Sequence, residues 1–590
     1  MSSHATATPP VLSAVEPPAP PTAPAVPEPE MIPVPVRPRR MLMVYPEFHP
    51  TYWGMQFSME MLKRKSLMPP LGLLTIAAMT PKEYEIRVVD LNCKALTDDD
   101  VEWADIVLFS AMLAQRAQLF RAAERFRAAG KLVVFGGPYP TQCGDECRGH
   151  CDVMVTNEGE ITWPLFLRDL EAGVLKREYR STEKPDLTTT PCPRFELVNM
   201  NDYVVVPVQF SRGCPFMCEF CDIIVMFGRK PRTKTPAQVC RELDALLATG
   251  YRGRVFIVDD NFIGNKGEVK KLLPEIQKWN EAHGHPFSYG TEASLDLAEH
   301  PELLKGMVDA GFVFTFLGVE TPSADSLKET RKVQNIGKTT LLDRIRIIQE
   351  AGLIVYGGFI VGFDNDTEDI FDRQIEFIEQ AAVANAMIGP ILALPGTPLY
   401  DRMKREGRLL DETKDSDGWA TSGYTNMVTV IPPHKLLKGF QRIVETIYEP
   451  RAYFGRTLEA FKRLPRKRSV LERFRHFRWM ASVELKRAAD KKDGQRTAKM
   501  GVFGMIRFFA KFLGMFPPEF RKEVRRFLLK VLWHCPEQLP RTLSFILMCY
   551  HCNQYTHKYL KPRLQAVLEK LPESAPGYMR PAQPAVATAM

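Results

Sequence analysis

Cys214-Pro-Phe-Met-Cys218-Glu-Phe-Cys221 sets three thiols within eight residues, a C-x3-C-x2-C run. Thiolates are soft ligands suited to zinc and to iron–sulfur clusters. A structural zinc site needs a fourth cysteine or histidine close by, and between Arg212 and Lys234 the sequence holds only these three. Three thiolates leave one iron of a four-iron cubane without a protein ligand. That iron is open to a substrate or cofactor, which a four-cysteine electron-transfer cluster does not allow. Other cysteines offer weaker patterns. Cys143, Cys147 and Cys151 recur every four residues beside His150, but Gly144 and Gly149 argue against a regular helix, so a second metal site and unligated thiols both stand. Cys535, Cys549 and Cys552, with His534, His551 and His557, are zinc-ligand types, whereas the neighbouring Phe545-Ile-Leu-Met run reads as core packing. Cys93, Cys192 and Cys240 are isolated and read as structural.

A chain of 590 residues needs several domains to carry such a loop. Hydrophobic residues at 45% and charged residues at 25% describe a water-soluble globular protein, and no run of eighteen apolar residues suggests a membrane span. The opening MSSHATATPP has neither the charged nor the apolar region of a secretory signal. Twelve cysteines are too sparse for a disulfide scaffold, so a reducing, cytoplasmic setting is expected. The net charge of +8 is concentrated: residues 451–500 hold sixteen Lys or Arg against five Asp or Glu, a local +11, leaving about −3 elsewhere. A single basic segment on a near-neutral body does not fit a nucleic-acid enzyme, and no nucleic-acid partner is expected.

Residues 1–40 contain twelve prolines and are expected to be a disordered arm, with a similar tail over 574–590. From Met41 short apolar runs alternate with helical stretches: strands at Met41–Tyr45, Ile86–Val89, Ile106–Phe109, Leu132–Phe135 and Val153–Val155, and helices near Pro70–Met79 and Gln115–Ala129. This α/β rhythm predicts a doubly wound parallel sheet over 41–185, with ligands outside the strands' carboxyl ends. After a Thr/Pro-rich linker, six further βα units over 195–411 have strands at Val204–Phe210, Val255–Val258, Ser288–Thr291, Val313–Phe316, Ile354–Ile360 and Met387–Leu392. Six units are fewer than the eight of a closed barrel and predict an open partial barrel with its site at the strand ends. Residues 412–573 read as a mostly helical, basic extension. Within it Gly501–Phe516 carries five Phe and only Arg507 and Lys511 as charges, which suits either a membrane interface or a buried core helix.

The cysteine run, preceded by Ser211-Arg212-Gly213 and with Phe220 before the last thiol, resembles the radical S-adenosylmethionine superfamily. The resemblance implies that Cys214, Cys218 and Cys221 ligate a [4Fe–4S] cluster whose open iron chelates S-adenosylmethionine. One-electron reduction would cleave it to a 5′-deoxyadenosyl radical. Phe220 would lie near the adenine. Asp259, Asp260 and Asn261 after the second strand would contact the amino group, Glu292 and Ser294 after the third the ribose or carboxylate, and Glu320 would close the fourth strand toward the same cofactor.

The α/β domain ahead of the barrel resembles the cobalamin-binding domain of class B members, and in Pro69-Pro70-Leu71-Gly72-Leu73-Leu74 and its long basic C-terminal extension the chain looks most like the hopanoid methylase branch and its uncharacterised relatives. Ser110, Gly136, Gly137, Asn157, Glu158 and Gly159 would surround the corrin and its nucleotide tail. Cobalamin domains with an axial histidine carry D-x-H-x-x-G. Here the stretch is Glu47-Phe48-His49-Pro50-Thr51-Tyr52-Trp53-Gly54, so base-off cobalamin without His49 ligation is expected, with Tyr52 and Trp53 either covering a corrin face or packing. The implied activity is C-methylation of an unactivated carbon in a hydrophobic substrate, with a hopanoid-like lipid favoured. The alternatives are a cobalamin-dependent cyclase or rearrangement enzyme on a tetrapyrrole or secondary metabolite, and a non-catalytic cobalamin or redox sensor. A flavodoxin or ferredoxin would supply electrons, and peripheral contact at the inner face of the membrane stays open beside a wholly cytoplasmic setting.

Overall fold

A computed structural model describes residues 31–34, 39–410, 424–465 and 512–579. Residues 1–30, 35–38, 411–423, 466–511 and 580–590 lie outside the described residues, among them most of the proline-rich arm and of the Phe-rich stretch. Apolar runs bounded by polar turns form two parallel sheets. The first holds β1 (Arg40–Tyr45), β2 (Glu85–Asp90), β3 (Ile106–Ser110), β4 (Leu132–Gly136), β5 (Val153–Val155) and β6 (Glu178–Tyr179) in the order β2-β1-β3-β4-β5-β6. Met41, Met43 and Leu108 pack on one face, and Leu42, Val44, Val107 and Phe109 on the other. Burial on both faces explains strands that are continuously apolar. Helices α1 (Gln56–Leu62), α2 (Leu71–Met79), α3 (Arg116–Ala128) and α4 (Gly159–Glu171) are among the connections. The strand order reverses between β1 and β3, which opens a crevice outside their carboxyl ends.

The second sheet is β7 (Val205–Val208), β8 (Gly253–Ile257), β9 (Phe287–Ala293), β10 (Phe312–Glu320), β11 (Ile354–Val361) and β12 (Asn385–Pro390), each beside its predecessor. Sequential parallel order with crossover helices curls the sheet one way, into a half-barrel. Val255, Ile257, Leu317, Val355 and Ala386 point outward and are buried beneath α5 (Pro236–Ala248), α6 (Lys266–Ala282), α7 (Pro301–Ala310), α8 (Leu341–Ala351) and α9 (Ile370–Gln380). The alternating positions Arg254, Phe256, Glu292, Phe316, Met387 and Gly389 face the concave side. Most of these keep some accessible surface, so the concave side is a lumen.

Helices α10 (Pro398–Arg405), α11 (Pro433–Ile447), α12 (Pro450–Arg463), α13 (Pro518–His534), α14 (Leu539–Tyr555) and α15 (Lys561–Lys570) complete the described chain. Helix α14 lies across the amino ends of the half-barrel strands. Cys552 Sγ is 3.9 Å from Asn385 Oδ1 at the start of β12, and the Phe545 ring meets Tyr356 of β11 at 6.2 Å. The same helix holds the first domain. Ser58 Oγ donates to Leu547 O at 2.7 Å, and the Phe57 N–H donates to His551 Nδ1 at 3.3 Å. Tyr52 packs against Tyr448 and Tyr555 with ring centroids 5.0 and 4.3 Å away, so it is an interdomain packing residue.

Two terminal stretches do more than their composition suggests. Met31–Pro33, inside the stretch read as a disordered arm, pairs antiparallel with Val174–Lys176. An unpaired strand recruits an extended segment through backbone groups, which composition does not report. At the other end the Tyr578 N–H donates to Thr429 O at 2.8 Å and its ring lies 4.1 Å from the Arg408 guanidinium, so residues 574–579 dock on the half-barrel. The described parts of the extension, 424–465 and 512–579, are mostly helical. Phe512 and Phe516, the described end of the Phe-rich stretch, are buried against Phe520 and Tyr550 as a core would be.

His551 is neutral in this junction. Its Nε2 lies 2.8 Å from Thr51 O, so Nε2 carries the proton and Nδ1 accepts. Burial lowers its pKa to about 4, with the contacts to Thr51 and Tyr52 opposing. A histidine whose folded pKa is depressed stabilises the fold fully above its unfolded value near 6.5. The contribution, on the order of 3 kcal/mol at full extent, is lost as pH falls toward 4. In His551→Phe the thermal midpoint should begin lower at neutral pH and then decline less than that of the wild type between about pH 7 and pH 4. Parallel curves in a pH series of melting scans would refute this.

Candidate functional site

The cysteine loop leaves β7 under the control of an acid on the next strand. Asp259 accepts from the N–H groups of Phe210 and Ser211 at 2.8 and 2.9 Å and from Ser211 Oγ at 2.6 Å. Ser211–Arg212 then pairs antiparallel with Arg232–Thr233, which closes the loop into a ring. Between the second and third cysteines, Glu219 donates its N–H to Thr330 O at 2.9 Å and accepts at its carbonyl from Leu399 N–H at 3.0 Å. Its carboxylate takes a two-point grip from Arg402 at 2.7 and 3.1 Å. Two amides aim at sulfurs: Asn261 Nδ2 lies 3.7 Å from Cys214 Sγ and Gln334 Nε2 3.4 Å from Cys218 Sγ. Such donors tune thiolate-bound clusters. Burial pushes the Cys214 and Cys221 thiols up, so loading a cluster here must release protons.

Beside the loop, the lumen carries carboxyls that lack cations. Burial, then the charge of Asp259, raises Asp260 to about 7; burial, then Asp260 and Asp259, raises Glu292 to about 8. Asp260 Oδ2 is buried without a hydrogen-bond partner. Asn261 Oδ1 accepts from the Ser294 N–H and Oγ–H at 3.2 and 3.3 Å, which ties the loops after β8 and β9 together. Phe220 packs on Phe363 at 6.0 Å, with Lys332 Nζ 5.8 Å from its ring centroid.

The structure places two of the sequence-derived acids differently. Asp259 uses both oxygens to shape the cysteine loop and has none facing the lumen, because β8 turns it to the outer side. Glu320, left-handed at φ 66, pairs with Lys332 at 2.7 Å. A β-carbon on Gly318 would lie 2.4 Å from that carboxylate, so a side chain there would have to displace the pair. Among the described residues no three His, Cys, Asp or Glu side chains are placed to hold a single metal ion. Cys147, Cys535, Cys549 and Cys552 are fully buried, as core residues are.

On the first domain, Ser110, Gly136 and Gly137 meet at the ends of β3 and β4. Gly137 has φ 89, and a β-carbon there would lie 2.5 Å from Ser110 Oγ. Thr141 links that turn to the next, donating its Oγ–H to Gly137 O at 2.8 Å and accepting from Asn157 N–H at 2.9 Å. Asn157 Oδ1 is buried and unpartnered. His49 Nε2 is likewise buried without a partner. Trp53 reaches the barrel lumen, 5.0 Å from Phe316.

Glu158 departs most from its expected role. Arg212 Nη1 lies 2.9 Å from Glu158 Oε2, and Arg232 contacts both Glu158 oxygens at 2.9 and 2.8 Å. Arg212 also grips Glu160 at 2.9 and 2.8 Å. The carboxylate is fully engaged by the barrel, and Gly159 is a packing glycine whose β-carbon would lie 2.5 Å from Ile76 Cδ1. Beyond the last cysteine, Gln142 Nε2 donates to Asp222 Oδ2. Both flanks of the cysteine loop are thus tied to the carboxyl edge of the first sheet. Arg212 and Glu219 lie in or beside the cysteine run; nothing local in the sequence named their partners.

Comparison with known proteins agrees with this geometry. Residues 60–167 match the B12 binding domain, 208–378 the radical SAM superfamily and 397–563 a domain of unknown function, DUF4070. An uncharacterized methyltransferase of Synechocystis sp. is 45% identical over 72% of this chain and 79% of its own length. The hopanoid C-2 methylase of Rhodopseudomonas palustris is 35% identical over 71% and 78%. The chain belongs to the cobalamin-dependent radical S-adenosylmethionine methyltransferases. Its cofactors are a [4Fe–4S] cluster, S-adenosylmethionine and cobalamin. The solved structure of the cobalamin-dependent S-adenosylmethionine radical enzyme OxsB, with aqua-cobalamin and S-adenosylmethionine bound, shares the fold, with TM-score 0.55 and 14% identity over 90% of this chain and 83% of that one. In this methyltransferase, Arg212→Met leaves Glu160 buried without its cation, and removing one partner of a buried pair costs about 3 kcal/mol or more. Denaturant titration should show that loss, and limited proteolysis faster cleavage in the 182–193 linker. Unchanged stability would refute the interdomain grip.

Proposed function

We propose that this methyltransferase methylates an unactivated carbon of a hydrophobic substrate, with a hopanoid-like lipid favoured. One observation carries the reading: the cysteine loop is held on both flanks by the domain whose strand ends would bind cobalamin, so both cofactors would open onto one lumen. In this reading Cys214, Cys218 and Cys221 hold the cluster, and Phe220 borders the adenine. Asp260, Asn261, Glu292 and Ser294 receive the polar groups of S-adenosylmethionine; an unpaired acidic pair suits its amino group. Ser110, Gly136, Gly137 and Asn157 border the corrin, where the bare Gly137 turn and the spare Asn157 Oδ1 leave room and an acceptor. When bound, the cluster and S-adenosylmethionine supply a primary carbon radical able to open an inert C–H bond, and cobalamin supplies the methyl group. The chain's own part is position and dryness: Phe256, Phe314, Phe316 and Trp53 wall the lumen.

The apolar wall and the 35% identical hopanoid C-2 methylase support a hydrophobic substrate. The electron donor proposed is a flavodoxin or ferredoxin. Among the described residues no helix is long and apolar enough to cross a membrane. Peripheral contact is supported instead by α13, where Leu529, Leu532 and Trp533 are 68%, 50% and 85% exposed at helical spacing beside Arg525, Arg526 and Lys530.

Mass spectrometry of lipid and pigment extracts from cells with and without the active gene should show one compound gaining a CH2. Purified enzyme should release S-adenosylhomocysteine together with 5′-deoxyadenosine. Cys214→Ala should lose bound iron and both products; 5′-deoxyadenosine without S-adenosylhomocysteine would overturn methyl transfer in favour of a cyclisation. Separately, Leu529→Ser with Trp533→Ser should abolish flotation with vesicles containing anionic lipid, and flotation equal to wild type would exclude α13 as the contact.

A further inference from the structure

The cysteine loop also has a side away from the lumen, and a cleft of about 430 Å³ opens on it. The segment after Cys221 contributes Ile224, Val225 and Arg229, the turn ahead of Lys332 contributes Arg331, and α10 contributes Pro398 and Arg405. Glu219, between the second and third cysteines, lines it as well, so the cleft reaches the cysteine run itself. None of the lumen residues named above borders it. Val225 is 45% exposed. A β-carbon on Gly396 would lie 3.4 Å from Val225 Cγ1, so the loop after β12 meets the segment after the cysteines closely.

The lining carries four guanidiniums against the carboxylates of Glu219 and Asp401. Arg402 is already engaged, by Glu219 at 2.7 and 3.1 Å and by Asp364 at 2.7 Å. Arg331 and Arg405 are exposed and have no ion-pair partner among the described residues. Arg229 donates one long bond, Nη2 to Pro215 O at 3.4 Å. Exposed apolar groups rimmed by like charge mark a protein contact, and the sign of the rim selects an acidic partner. Position says which acidic partner. Both flanks of the loop are taken by the first domain, through Arg212 with Glu158 at 2.9 Å and through Asp222 with Gln142. The inner side faces the lumen. One electron must still come from outside the chain, and its transfer slows steeply with distance, so the donor has this face by which to approach. A flavin in an acidic carrier matches both features of the lining, because the edge of its dimethylbenzene ring is apolar.

We propose that this cleft is the docking site of an acidic flavodoxin, with the flavin edge against Val225 and Pro398 and carboxylates of the carrier on Arg229, Arg331 and Arg405. The anionic flavin hydroquinone loses one electron and becomes the neutral semiquinone, with no proton moved. That electron reduces the cluster held by Cys214, Cys218 and Cys221. The inference rests on the proposed cluster site and narrows the electron donor from a flavodoxin or ferredoxin to the first. Redox encounters bury little surface and part quickly, so a cleft of this size suffices. Charge on its rim supplies speed of association rather than lasting affinity.

The test uses full-length enzyme loaded with cluster, corrinoid and S-adenosylmethionine, and as probes one purified acidic flavodoxin and one purified acidic ferredoxin. Fluorescence anisotropy of labelled, oxidised flavodoxin should show binding that weakens about ten-fold between about 0.05 and 0.3 M salt. Arg331→Glu and, on a separate element, Arg405→Glu should each weaken that binding about ten-fold. Each should slow the stopped-flow appearance of flavin semiquinone from flavodoxin hydroquinone by a similar factor. Cluster iron, and the rate of cluster reduction by photoreduced deazariboflavin, an uncharged donor that needs no docking surface, should stay at the wild-type level. Flavodoxin that does not bind the wild type, that binds both variants as tightly, or whose slowing is matched with deazariboflavin overturns the docking site. Ferredoxin that binds through these arginines where flavodoxin does not overturns the flavin partner. Bound iron in the wild type and its loss in Cys214→Ala read the cluster site, and S-adenosylhomocysteine formed with deazariboflavin as reductant reads methyl transfer, so each can fail separately from the docking site.

Discussion

A carboxylate buried between two guanidiniums sets the geometry on which this enzyme depends. Glu158 has 1% side-chain exposure and meets Arg212 and Arg232, each itself largely covered. In water such contacts are worth little, but in a dry junction each charge is stranded without the others. Arg212 stands two residues before Cys214, and Asp222, held by Gln142, directly follows Cys221. The loop therefore cannot relax without parting the two domains, nor can the domains slide without pulling on the loop.

A second constraint comes from below. Helix α14 closes the amino ends of the half-barrel and grips the first domain through Ser58 and His551. Lid, wall and floor of the lumen then come from three parts of the chain. Apolar packing makes the lumen dry, and that burial is what raises the Asp260 and Glu292 carboxyls beside the cysteine loop.

Much of this was legible locally. The C-x3-C-x2-C spacing singles out its loop because ligands for one cluster can be neighbours in sequence. The strands of both sheets declare themselves as short apolar runs because helices bury them on at least one face. What was not legible depends on docking. Glu158 lies 54 residues from Arg212, and on its own the turn looks like a polar ligand loop. Asp259 and Glu320 look equally suited to a cofactor, but strand alternation turns one outward and Lys332 takes the other. Tyr52 lies 504 residues from Thr556, whose hydroxyl it meets, and nothing short of the folded chain relates them.

That last separation bears on how the protein comes into being. Phe57 leaves its N–H to His551, 494 residues later. At a synthesis rate of about 5–20 residues per second, the surface around α1 waits roughly 25–100 s on the ribosome before its partner helix exists. The nascent first domain therefore completes its sheet while its aromatic flank stays wet. It becomes a finished structure only once α14 has been made, so one late helix closes the half-barrel floor and covers the flank of the first domain together.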